Sequence, residues 1–157
     1  MKMVQEFALD RIEGRPGSEA REEPRARLRR AGKDTGTVVP GAVLEAQLAA
    51  DSGWLLFITH DTPFEERLDV TLIDRSCRIV DMASFYGLYT TGNFRNLTLD
   101  SDKSVVFDFF GDHAWRVTLL DKPQFRFPVA RLTEPAGVHR RFGFTRHFAV
   151  AAARRAA

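Results

Sequence analysis

Ser104 to Asp121, SVVFDFFGDHAWRVTLLD, is the most sharply patterned stretch of the chain. Val105, Phe107 and Phe109 alternate along one arm, Trp115, Val117 and Leu119 along the other, and Gly111, Asp112 and His113 lie between. Side chains on a strand alternate between faces, so such a pattern reads as an antiparallel hairpin with one apolar face. A turn that leaves Gly111, Asp112 and His113 unpaired sets Phe109 against Trp115, Phe107 against Val117 and Val105 against Leu119. The same register sets Asp108 against Arg116 as a cross-strand ion pair. A two-residue turn is disfavoured, because it places Asp108 beside Trp115 and mixes charge into the apolar face.

Other short runs flank this hairpin. VLEAQL (43–48) and WLLFITH (54–60) are separated by Asp51, Ser52 and Gly53, which predicts a second hairpin over a competing helix across 41–50. Arg67 to Ile73 alternates Leu68, Val70 and Leu72 inward with Asp69 and Thr71 outward. Strands are further expected at 77–83, 85–89, 94–99 and 124–129, the last begun afresh after Lys122 and Pro123. A closing strand is expected where Phe142, Phe144, Phe148 and Val150 alternate, with 151–157 as a tail. Nine or ten short strands without a crossover helix give an all-β domain over 38–150, an antiparallel meander forming a small barrel or a sandwich.

Residues 1–37 read differently. Val4, Phe7, Ala8 and Ile12 have the spacing of a short amphipathic helix, while Arg15 to Thr37 contains Leu28 as its one large apolar residue and is broken by Pro16, Gly17, Pro24, Gly32 and Gly36. A segment so poor in apolar surface does not offset its ordering entropy, so a largely disordered leader is expected. The net charge of +2 conceals an uneven distribution, with net +1 over residues 1–50, −6 over 51–121 and +7 over 122–157. An acidic body disfavours nucleic acid as the main partner and leaves the basic C-terminal segment as the place for such contacts. The single cysteine, Cys77, excludes an internal disulfide, and no apolar run is long enough to span a bilayer, so a cytoplasmic location is expected.

No phosphate-cradling glycine loop, dinucleotide fingerprint, nucleophile elbow or helical histidine pair is present, so no cofactor and no metal is assigned. The residues that stand out for ligand binding are His60 and Asp61, Asp112 and His113, and the aromatic pair Tyr86 and Tyr89. His60, Asp61, Asp112 and His113, with Glu65 and Glu66, form a divalent-metal set if they meet at one rim, although the ordinary chemistry of polar turns is the preferred account of them. Arg140, Arg141, Arg146, Arg154 and Arg155 interleave with Phe142, Phe144 and Phe148 in a manner resembling a single-strand nucleic-acid surface, and a closing strand explains the same spacing. The reading that follows is a non-enzymatic β-domain that binds a protein partner or a small ligand, with a metal-dependent activity and nucleic-acid binding as alternatives.

Overall fold

The computed structural model describes residues 1–14, 23–88, 90–126, 134–141 and 143–153. They form thirteen strands: β1 (Lys2–Met3), β2 (Phe7–Ile12), β3 (Arg25–Arg30), β4 (Lys33–Pro40), β5 (Val43–Ala50), β6 (Gly53–Thr59), β7 (Leu68–Asp74), β8 (Ile79–Phe85), β9 (Arg95–Leu99), β10 (Ser104–Asp108), β11 (Ala114–Phe125), β12 (Val138–Arg140) and β13 (Thr145–Ala153). All pairings are antiparallel. Three sheets result, with strand orders β1-β5-β6-β7-β8-β12, β13-β11-β10-β9 and β2-β3-β4. No helix among the described residues is long and apolar enough to cross a membrane.

The six-stranded sheet contributes to two separate cores. From one face, Leu48, Leu55, Phe57, Val70, Leu72 and Phe85 pack against Val105, Phe107, Trp115, Val117 and Phe148 of the four-stranded sheet. From the other, Ala49, Trp54, Leu56, Ile58 and Ile73 pack against Phe7, Ala26, Leu28 and Val39 of the three-stranded sheet. Being covered on both sides explains why β6 reads WLLFIT without alternation and is buried at every position. It also corrects the expected exposure of Asp69 and Thr71. Both point to the second face and are fully buried.

The N-terminal segment forms strands where a helix and a disordered leader are expected. Phe7–Ile12 is β2, paired residue by residue with β3, and Gln47 of β5 fixes its start. The Gln47 side-chain carbonyl accepts from the Glu6 and Phe7 amides at 2.7 and 2.8 Å, and its amide donates to the Phe7 carbonyl at 3.1 Å. In β3, Ala26 and Leu28 face inward while the intervening arginines face out. The apolar surface that segment lacks is supplied by the back of the central sheet, to which Phe7 adds an edge-to-face contact with Trp54 at 5.2 Å. Residues 15–22 of the expected leader lie outside the described residues.

The β10–β11 hairpin keeps its expected faces with a different register. Phe107 stands opposite Trp115, Val106 opposite Arg116 and Val105 opposite Val117. A two-residue slip preserves side-chain parity, so Val105, Phe107, Phe109, Trp115, Val117 and Leu119 all remain in the core. The connection is longer than expected because Phe109 and Phe110 are drawn out of the ladder into contacts of their own. The expected Asp108–Arg116 pair is therefore not made. Arg116 approaches Asp100 at 3.3 Å, and Asp108 faces Arg95 on β9.

Three further boundaries shift. β11 runs on through Lys122 and Pro123 to Phe125, and a register shift against β13 between Leu119 and Gln124 accommodates the proline. β13 continues to Ala153, where Ala114 pairs with it, so residues 151–153 of the expected tail are strand, and 154–157 lie outside the described residues. β8 ends at Phe85, and Tyr86 to Leu88 are not strand.

Candidate functional site

Four connections gather at one end of the central sheet: 60–67 between β6 and β7, 86–94 between β8 and β9, 109–113 between β10 and β11, and 134–137 before β12. The pairs Thr59↔Leu68, Leu68↔Phe85 and Val138↔Phe85 put the first, second and fourth side by side, and Asp108↔Arg95 brings in the third. Hydrogen bonds tie them: Tyr86 N to Gly137 O at 3.0 Å, Asn93 N to Phe109 O at 2.8 Å and Thr91 Oγ1 to Phe64 O at 3.2 Å. Gly137 has a positive φ, and a Cβ there would fall 2.5 Å from Cζ of Phe110, so the close approach of these loops requires glycine.

A buried polar network supports this end. The Asp69 carboxylate, fully buried, meets Nε2 of His60 at 2.6 Å through Oδ2, and its Oδ1 accepts from the Ser84 hydroxyl and from Nη2 of Arg67 at 3.2 Å. Arg67 also donates to Ser84 Oγ at 2.9 Å and to Glu23 Oε1 at 2.9 Å. Glu66 Oε1 accepts from the amides of His60 and Arg67 at 2.8 and 3.1 Å, closing the β6–β7 loop on itself. Burial pushes the Asp69 carboxyl up, but the His60 hydrogen bond, the Arg67 charge and the Ser84 hydrogen bond outweigh it and hold the pKa below the ordinary aspartate value.

Serine, aspartate and histidine meet here in an order that does not suit acyl transfer. A nucleophile needs the imidazole between hydroxyl and carboxylate, whereas the carboxylate lies between Ser84 and His60. Ser84 donates its hydrogen bond to the Asp69 carboxylate, so the histidine is not positioned to take its proton. The arrangement is one of mutually satisfied polar groups that braces the loop end from below.

Above the network the surface is aromatic and apolar. The Arg67 guanidinium lies 5.2 Å from the Tyr86 ring centroid, and Tyr86 stacks on His139 at 3.9 Å with 17° between planes. Beside them Phe64 is 84% exposed and Leu88 is 88% exposed. Phe64 also holds a positive φ of 78°, and Asp61 in the same loop one of 57°.

Five of the six residues singled out from the sequence are distributed unevenly over this end. His60 is buried in the Asp69 network, Asp61 is exposed and 3.9 Å from Arg11, and Tyr86 is half-exposed in the aromatic stack. Asp112 is exposed in the β10–β11 loop, and His113 packs edge-on against Trp115 at 4.5 Å. Tyr89 lies outside the described residues. Among the described residues, no group of three or more His, Cys, Asp and Glu side chains is placed to hold a metal ion. Cys77 lies in the β7–β8 turn, buried in the second core.

Asp69, Ser84 and His139 were not legible as partners of His60 and Tyr86, and neither was the exposure of Phe64 and Leu88. One signal bears on Asp69. The unbroken apolar run of β6 implies burial of both faces, which extends to the outward positions of its neighbour β7. Among the described residues, the interleaved C-terminal arginines and phenylalanines do not share one surface, because Arg140 and Phe148 are buried while Phe144 is exposed and stacked on Phe125; Phe142, Arg154 and Arg155 lie outside the described residues. Comparison of the chain with protein-family models, with curated proteins and with solved structures finds no match.

Proposed function

We propose that the protein is a non-enzymatic binding domain that docks a protein partner on its loop end, with Phe64 and Leu88 as the apolar anchors and Tyr86 and His139 beside them. The observation that carries this reading is Phe64 itself, a bulky aromatic held both at positive φ and in solvent. The left-handed conformation costs such a residue roughly 1–2 kcal/mol, and leaving it exposed forgoes roughly 1.5–3 kcal/mol of burial. A glycine or asparagine would make the same turn at lower cost. Strain and exposure maintained together by a rigid base are what a contact residue requires.

The surrounding chemistry supports a protein partner. The exposed carboxylates Asp61 and Glu65 stand in the same loop as Phe64, where acidic charge favours a basic partner. Native mass spectrometry of the protein from its own host, compared with the Phe64→Ser variant, tests the proposal. A companion polypeptide is expected on the wild-type protein and is expected to be depleted from the variant. Equal occupancy of both would remove the loop end as the contact surface.

A further inference from the structure

A second site, independent of the loop end, lies where the outer edges of two sheets meet. β12 is the edge of the six-stranded sheet and β13 the edge of the four-stranded one, and a cleft with about 40 Å³ of room opens beside them. Its walls carry three guanidinium groups, Arg126, Arg140 and Arg146, with Gln124, and Glu134 is the one carboxylate among the lining residues. The register of β11 against β13 shifts between Leu119 and Gln124 beside this cleft, and pairing resumes at Gln124↔Arg146, two of its lining residues.

The three arginines differ in how well they are satisfied. Arg140 is 4% exposed and paired with Asp81, and its Nε lies 3.3 Å from Glu134 Oε1 yet makes no hydrogen bond, so a buried donor is left over at the cleft. Among the described residues, Arg146 reaches only the carbonyls of Thr145 and Arg141, both at 3.4 Å. Neither Arg126 nor Arg146 has a carboxylate partner among the described residues. Burial lowers the pKa of Arg140, and although Asp81 and Glu134 oppose this, the charge of Arg146 adds to it, so the two guanidiniums repel one another across the cleft. A converging set of guanidinium donors, one of them a buried orphan, is matched by the oxygens of an oxyanion.

We propose that this cleft binds a small oxyanion, the phosphate or carboxylate group of a ligand, gripped by Arg126 and Arg146 over a floor formed by Arg140. Asp81 holds that floor in place from below, through its ion pair with Arg140 and its acceptance of the His147 and Phe148 amides at 2.7 and 3.3 Å. Three of the eight basic residues of the 122–157 segment thus line one cleft, which has room for one small anionic group.

Thermal unfolding of the full chain with inorganic phosphate or with acetate, ionic strength being held constant with sodium chloride, tests this. A ligand that binds only the folded state raises the melting temperature in a saturable way. Saturation by phosphate alone assigns a tetrahedral anion, and saturation by both assigns any small oxyanion. Arg126→Ala and Arg146→Ala are each expected to weaken the effect by about tenfold, the loss of one charge-assisted contact, while Arg95→Ala on β9 leaves it unchanged. Phe64→Ser is likewise expected to leave it unchanged, which separates this site from the loop end. The inference is overturned if neither anion gives a saturable shift beyond the chloride control, or if Arg126→Ala and Arg146→Ala respond as the wild type does.

Discussion

Asp81 on β8 and Arg140 on β12 form an ion pair with Oδ1 and Nη1 3.2 Å apart and with side chains only 3% and 4% exposed. The pair also reaches across to the other sheet. Asp81 Oδ2 accepts from the His147 and Phe148 amides of β13, and Arg140 Nη2 donates to the Phe148 carbonyl at 2.8 Å. The Arg140 guanidinium additionally covers the Phe148 ring at 4.3 Å. Sheet edges otherwise left with unpaired amides are closed by these two side chains.

Removing one partner of such a pair strands the other without water. Arg140→Ala is expected to cost about 3–5 kcal/mol in urea unfolding. Asp81→Ala is expected to cost at least as much, because two amides of β13 lose their acceptor as well. The double variant should fall well short of the sum of the two, since the pair acts as a unit. Additive losses would show that the two side chains contribute separately.

Asp69 sets the acid limb of stability. Its folded pKa lies below the unfolded value of about 3.9, so the folded state binds the proton less readily than the unfolded chain. The stabilisation is therefore fully present above the unfolded pKa and is lost as pH falls through the folded one. Urea melts across the acid range should show a steeper decline for the wild type than for Asp69→Asn, which is expected to be less stable near neutrality because His60 and Arg67 lose their charged partner. Parallel pH profiles would mean that another carboxylate governs this limb.

Trp115 is fully buried, with edge-to-face contacts to Phe85 at 5.3 Å and Phe110 at 5.1 Å. It joins the central sheet to the β10–β11 loop. Trp115→Ala is expected to cost about 3–5 kcal/mol in denaturant unfolding. A loss well under about 1 kcal/mol would contradict the placement of this residue between the two sheets.

How far the chain could be read without coordinates depends on what each feature answers to. Strand type and face follow from alternation, so Val105, Phe107, Trp115 and Val117 were assigned to the correct side. Register answers to loop packing, and nothing local reveals that Phe110 nests over Gly137 and lengthens the turn by displacing Phe109. The same limit applies to β3. Ala26 and Leu28 are too little apolar surface to order a strand by themselves, and the second face of the central sheet that covers them is a property of the whole fold. At the site, turn chemistry singles out His60, Asp61, Asp112 and His113, but the buried partner of His60 comes from the next strand, and parity alone puts Asp69 in solvent.

The exposed anchors provide another check on stability. Phe64→Gly removes a strained aromatic from the left-handed region, and thermal unfolding of the isolated protein should show stability unchanged or raised by up to about 1 kcal/mol. A clear loss would identify Phe64 as a structural residue, contrary to its 84% exposure.

The most direct test of the loop end as a docking surface is site-specific photo-crosslinking in the native host, with a photoreactive phenylalanine analogue at position 64 and at position 88. A control bears the same analogue at Thr98, an exposed position on β9 away from the loop end. The account predicts one and the same crosslinked polypeptide from positions 64 and 88, and none from position 98. Products that are absent from 64 and 88, or equally abundant from 98, would contradict it.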